Sequence, residues 1–137
     1  KQFAVYDFPF QFANGKEADA VVDGPFGKMM HAKLQDKGMV GLTYWELGFR
    51  NMTNSKRPIN TVADLAGLKI RVIPNPINLD WVKALDANPT PMAFPEVYAA
   101  LESKALDGQE NPLSAVLANK FFEVQKHLTL TNHQYNP

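Results

Sequence analysis

Leu68-Lys69-Ile70-Arg71-Val72-Ile73 is the run whose reading decides the fold. It is short, apolar and β-branched, and Gly67 punctuates the segment before it, so it reads as a strand. Alternation puts Leu68, Ile70 and Val72 on one face and Lys69, Arg71 and Ile73 on the other. An arginine in the middle of a strand that helices cover must be paired or must reach a cleft. Its planar fork suits a carboxylate, through two parallel charge-assisted hydrogen bonds. The same pattern also fits a structural salt bridge, or a side chain snorkelling at the strand's end.

Working upstream from that strand, Thr61-Val62-Ala63-Asp64 has the form of a capped helix start. Gly48 to Ile59 carries no period and is polar, so an irregular stretch is expected there. Met39–Trp45 reads as a strand. Before it, Pro25 opens a helix with Phe26, Met30 and Leu34 on one face, and Asn14-Gly15 is a turn leading into a helix over 16–22. The aromatic run 3–12 is interrupted by Pro9 and reads as a strand end entering a buried loop.

Downstream, Asn75-Pro76 is a helix start with Ile77, Trp81 and Leu85 on one face. Thr90–Ala93 is extended, and Pro95 opens a helix with Val97, Leu101 and Ala105 turned inward. Asp107-Gly108 reads as a turn and Asn111-Pro112 as another helix cap. After it, Leu113, Val116, Leu117, Phe121 and Val124 form an amphipathic stripe, and His127–Asn132 is a last strand. Strands and helices alternate from Met39 onward, which predicts an α/β fold with a largely parallel sheet covered on both faces.

Composition narrows the function. The chain has 137 residues, 45% of them apolar and 20% charged, with a net charge of zero, so it is expected to build a core rather than stay disordered. No Lys/Arg cluster is present to neutralise a phosphate backbone, which argues against nucleic acid. No apolar run has the length of a membrane helix, and no stretch reads as a signal peptide. With no cysteine, thiolate chemistry and Cys-based metal sites are excluded. No cofactor is implied.

The other candidate residues each carry a plain structural reading beside the functional one. Arg50 is a loop cation or a ligand clamp. Asn111 is a helix cap or a ligand amide, and Phe94 is core or a pocket wall. Asp107, Glu110, His127 and His133 could be assembled into acid/base chemistry, but acids beside a helix start are favoured by its dipole anyway. No nucleophile elbow, phosphate loop or His-x-x-x-His helix accompanies them.

Several motifs resemble one family. They are Gly48-Phe49-Arg50 with Thr53 to Ile59, and Asp64-Leu65-Ala66-Gly67-Leu68-Lys69-Ile70-Arg71-Val72. Next come Pro89 to Tyr98, Asp107-Gly108-Gln109-Glu110-Asn111-Pro112, Lys120 to Lys126, and Thr131-Asn132-His133. In order and spacing they are similar to the extracytoplasmic solute-binding subunits of TRAP (tripartite ATP-independent periplasmic) transporters, the DctP-like family. One departure is Asp86-Ala87, where the family usually has Gly-Ala.

The resemblance implies a periplasmic binding protein-like α/β fold of two lobes. It implies a periplasmic protein, not an enzyme, that closes on an organic acid and passes it to membrane permease subunits. Arg71 would make the two-pronged carboxylate contact, Arg50 a second basic contact and Asn111 an amide contact. Phe94 would line the pocket, with Tyr44 and Trp45 as substrate-shape residues. Family members are much longer, so a fragment is expected, with 1–47 in the first lobe, 48–133 in the second and 134–137 returning toward the hinge. Half a pocket and possible self-association of exposed apolar faces would follow. The competing readings are a small hydrolase using Asp107, Glu110 and His133, and a structural fragment without binding activity.

Overall fold

The computed structural model describes residues 2–137. Five strands form one sheet: β1 (Gly48–Asn54), β2 (Lys69–Val72), β3 (Asn88–Pro91), β4 (Gly108–Pro112) and β5 (His127–Asn136), in the order β3-β2-β4-β1-β5. The α/β class holds, but the sheet is mixed. β2 runs parallel to β3 and β4, whereas β1 is antiparallel to both β4 and β5. Five helices accompany it: α1 (Gly15–Val22), α2 (Pro25–Gln35), α3 (Pro76–Ala84), α4 (Val97–Glu102) and α5 (Leu113–Ala118).

The alternation predicted for β2 sets up two layers. Ile70 and Val72 point to the α3 side and pack with Met52, Leu65, Leu68, Val82 and Ala87. On the other side Val97, Leu101, Leu106, Val116 and Phe121 form a second core. A third, built from Tyr6, Phe12, Ala18, Val22, Met30 and Tyr135, joins α1 and α2 to the end of β5. Asn75 caps α3 as expected: its Oδ1 accepts from the Asn78 N–H at 2.9 Å, with Pro76 in the first turn.

Several expectations fail, each for a physical reason. Gly48–Asn54 is a central strand, not an irregular loop. Its polar side chains Arg50, Asn51, Thr53 and Asn54 are all buried, and hydrogen bonds rather than hydrophobicity account for that. Asp107-Gly108 is not a free turn, because Gly108 begins β4. A Cβ at Gly108 would stand 2.2 Å from the Thr53 carbonyl oxygen, so only glycine lets β4 lie this close to β1.

Asn111 does not cap a helix but lies within β4, whose last residue, Pro112, takes the position before α5. The long stripe is cut short because Lys120 adopts a left-handed conformation, φ 54°, which ends the helical run. Val116 and Phe121 go inward while Leu113 and Leu117 stay exposed. In α3 the fully buried positions are Asn78 and Val82, with Trp81 only half-buried. Ala105 lies exposed beyond α4, and Leu106 takes the core place expected of it.

The N-terminal part departs most. Residues Gln2–Asp7 form a 3-10 helix, with Tyr6 buried, rather than a strand end. Met39–Trp45 forms no strand. It runs without secondary structure, and Met39, Val40, Leu42 and Trp45 are exposed. The Met39 N–H donates to the Leu34 carbonyl (3.1 Å), and Tyr44 is anchored through its hydroxyl to the Tyr6 hydroxyl (3.0 Å) and the Gly27 carbonyl (3.1 Å).

Candidate functional site

Arg71 sits near the carboxyl end of β2, the end of parallel strands at which α/β sheets place their ligands. It is 3% exposed. Nε and Nη2 donate to one acceptor, the Met92 carbonyl, at 3.0 and 2.8 Å. A guanidinium has five N–H donors; with two engaged, three remain, among them the pair on Nη1. The charge meets no carboxylate in an ion pair among the described residues. The Phe94 ring lies 5.7 Å from its central carbon, within cation–π range. Burial weighs against the charged form of Arg71, the Glu110 charge favours it and the Arg50 charge opposes it, with a net downward shift. Because a guanidinium does not deprotonate in proteins, Arg71 stays charged there, and an anion beside it would offset the cost of its burial.

Phe94 is 38% exposed and leans on the core through Phe121, 6.0 Å between ring centres. The ring is therefore partly open to solvent while it packs against the core.

Arg50 is as buried as Arg71 but is gripped by a carboxylate, with a single Nη1 hydrogen left without an acceptor. Its Nε donates to Glu110 Oε2 at 2.5 Å, and Nη2 to Oε1 at 2.9 Å and to the Glu110 carbonyl at 2.8 Å. Nη1 donates to Asn136 Oδ1 at 3.0 Å, and Nη2 also reaches Asn111 Oδ1 at 3.1 Å. His133 Nε2 lies 3.1 Å from Glu110 Oε2, with the Thr131 hydroxyl 2.7 Å from Nδ1. Burial pushes the Glu110 carboxyl up, but the Arg50 charge and the bonds from His133 and Arg50 outweigh it and hold the group below the ordinary carboxylate range. An ionised Glu110 accepts only, so the His133 ring must donate from Nε2.

Asn111 links these surroundings. It receives Arg50 at Oδ1 and donates from Nδ2 to Gln109 Oε1 at 2.5 Å, which leaves one amide hydrogen free. Trp45 is 88% exposed in the uncovered run 39–47, and its neighbour Tyr44 is held as described. Asp107 lies at the other end of β4. It accepts from the Lys69 N–H at 2.9 Å and pairs with Lys56 at 3.4 Å. The acid/base set thus brings Glu110 and His133 together and leaves Asp107 apart. An open groove of about 740 Å³ runs along that far edge, past Ser55, Lys56, Asp107 and Gln125. Among the described residues no group of three His, Asp or Glu side chains is placed to hold a metal.

Sequence reasoning missed Gln109, Thr53 and Gln125, which continue the polar set beneath Asn111. Thr53 and Gln109 had one signal, a pair of polar runs, 50–54 and 109–111, too short of apolar residues for ordinary strands; Gln125 had none.

The family model for bacterial extracellular solute-binding protein, family 7, matches residues 1–137. A 2,3-diketo-L-gulonate-binding periplasmic protein of Escherichia coli is 48% identical over 131 residues, which are 96% of this chain and 40% of that one. A TRAP periplasmic solute-binding protein of Polaromonas, solved with D-erythronate, superposes with a TM-score of 0.95 at 48% identity over 98% of this chain and 44% of that one. A sugar acid binding protein of Advenella mimigardefordensis, solved with galactonate, gives 0.95 at 53% identity, with 98% and 43% covered. Other solved relatives hold succinate, β-D-galacturonate or β-D-glucuronate. The chain thus spans about two-fifths of the length of the relatives it matches. No helix among the described residues is long and apolar enough to cross a membrane. Its named relatives are periplasmic proteins, and the periplasm is its compartment. This chain belongs to the DctP family of bacterial extracellular solute-binding proteins, the TRAP type.

Proposed function

We propose that the chain is part of a TRAP solute-binding subunit that captures an organic acid on Arg71 and delivers it to membrane permease subunits. One observation carries this reading: a buried arginine with three free N–H groups and no ion-pair partner among the described residues, at the carboxyl end of a parallel strand. A ligand carboxylate accepting from Nη1 and Nη2 supplies the missing charge in the bidentate geometry that arginine favours. Asn111 offers its free amide hydrogen to the same acid, and Phe94 forms the wall. Arg50 adds its field and the one Nη1 hydrogen that Asn136 does not take. Trp45 contributes ligand shape from the neighbouring lobe.

In the whole protein, residues 1–47 belong to one lobe, 48–133 to the other, and 134–137 return toward the hinge. The ladder between β1 and β5 supports this division. Its register breaks between Arg50 and Met52, where Asn132 turns left-handed (φ 43°) and donates its N–H to Asn51 Oδ1 at 2.9 Å. Contacts made only when the lobes close would shift the population toward the closed form.

The test is thermal unfolding of the full-length protein with succinate, D-erythronate, galactonate, β-D-galacturonate and β-D-glucuronate, the 137-residue chain running beside it. An acid at a hundred times its Kd adds about 2.7 kcal/mol, so one class should raise the full-length midpoint by several degrees, on the order of 2–4 °C. No shift with any acid would sink the reading. An equal shift in the short chain would mean that 1–137 already holds the complete site.

A further inference from the structure

The polar groups beneath Asn111 are joined in a single direction. Arg50 Nη2 donates to Asn111 Oδ1 (3.1 Å), Asn111 Nδ2 to Gln109 Oε1 (2.5 Å), and Gln109 Nε2 to the Thr53 hydroxyl (2.9 Å). That hydroxyl donates to Gln125 Oε1 (2.8 Å), Gln125 Nε2 to the Ser55 hydroxyl (3.1 Å), and Ser55 to the Val124 carbonyl (3.0 Å). Gln109 is completely buried, Thr53 is 3% exposed and Gln125 9%.

The two ends leave no choice of direction. Arg50 has only donors and the Val124 carbonyl only an acceptor, so every amide and hydroxyl between them must point the same way. The orientations of Asn111, Gln109 and Gln125 are consequently fixed by the set as a whole. Were Asn111 turned over, its NH₂ would face the Arg50 guanidinium and its oxygen would face Gln109 Oε1, two like pairs in a buried place.

We infer that Gln109, Thr53 and Gln125 are positioning residues for organic-acid capture, acting through the orientation of Asn111. The set keeps the unpartnered Asn111 group an N–H donor, so that position selects an acceptor, a carboxylate or hydroxyl oxygen, over a ligand N–H. None of the three needs to touch the ligand. This rests on the organic-acid reading above.

The experiment uses full-length protein and whichever acid of the panel binds it most tightly, with affinity read by calorimetry. Thr53→Val keeps shape but removes the hydroxyl, which disconnects Gln109 from Gln125. Thr53→Ser keeps both bonds. We expect Val to weaken binding about fivefold or more, the low end of ordinary coupling, and Ser to stay within about twofold. A purely structural threonine would lower the midpoint in Val without moving the affinity of the folded protein. Equal affinity for wild type and Val therefore overturns the inference while leaving the organic-acid reading intact. Equal loss in Val and Ser also overturns it. If Val does not fold, Gln125→Met at the far end replaces it, with the same threshold against Thr53→Ser. Failure of wild type to bind any acid is a different result and removes the parent reading instead.

Discussion

Arg50 and Arg71 are both 3% exposed and stand on strands separated only by β4, yet their surroundings are opposite. Arg50 lies on the α3 side with a carboxylate gripping it at two points and amides on the remaining edges. Arg71 lies on the side of α4 and α5, held by one carbonyl and one ring. Burial alone does not distinguish a scaffold cation from a receptor cation. The number of donors left without an acceptor does.

The comparison can be broken most directly by removing each arginine in turn. Arg50→Ala leaves Glu110 buried and uncompensated except by His133, and should cost about 3–5 kcal/mol of stability. Arg71→Ala in the full-length protein should cost well under half of that. It should instead weaken acid binding about thirtyfold or more, because a desolvated charge pair loses one partner. Paired urea titrations and calorimetry read both quantities. A binding loss below about threefold at Arg71, with the fold intact, would end its role as the receptor.

A smaller effect sharpens the same contrast through pH. The Glu110 carboxyl is lower in the folded chain than in the unfolded one. Its ionisation therefore contributes stability above the unfolded value, about 4.3, and that contribution is lost as pH falls through the lower folded value. Glu110→Gln should be less stable at neutral pH and show a flatter stability curve below about pH 4.3. Arg71→Ala should keep the wild-type slope. Urea midpoints measured across the acid range separate the two, and a wild-type slope in Glu110→Gln would show that other groups carry the acid limb.

The smallest expected change is at Phe94. Phe94→Leu keeps apolar contact with Phe121 and removes the ring face over Arg71, so acid affinity should fall about threefold, the value of a modest cation–π contact. Tighter binding by the leucine variant would mean that the ring blocks the site rather than walls it.

How much of this was legible in the sequence follows from where side chains find their partners. The strand around Arg71 was readable because its apolar neighbours alternate and pack on α3. The caps at Thr61 and Asn75 were readable because capping is a contact over three residues. β1 and β4 were not, because their buried faces are polar and satisfied by residues far away in sequence: Arg50 by Glu110, Thr53 by Gln125, Asn51 by the N–H of Asn132. Periodicity of hydrophobicity carries no trace of such pairs. Met39–Trp45 failed the other way. It has a strand's residue pattern, but a strand also needs a neighbour, and none of the described residues offers one. At the site, Arg71 was singled out from pattern alone, whereas the roles given to Arg50 and Asn111 came from family resemblance, and the carboxylate already holding Arg50 was visible only in three dimensions.

One hydrogen atom governs both the Arg50 clamp and the alignment of Asn111. Gly108 lets β4 approach β1 closely enough that Glu110 meets Arg50 on one face while Gln109 meets Thr53 on the other. A methyl group there would act as a spacer wedged between the two strands. It would slacken the grip on the scaffold charge and the alignment of Asn111 together, although Gly108 touches neither. Mechanically, the Arg50–Glu110 grip and the Gln109–Thr53 bond are two readings of one inter-strand gap.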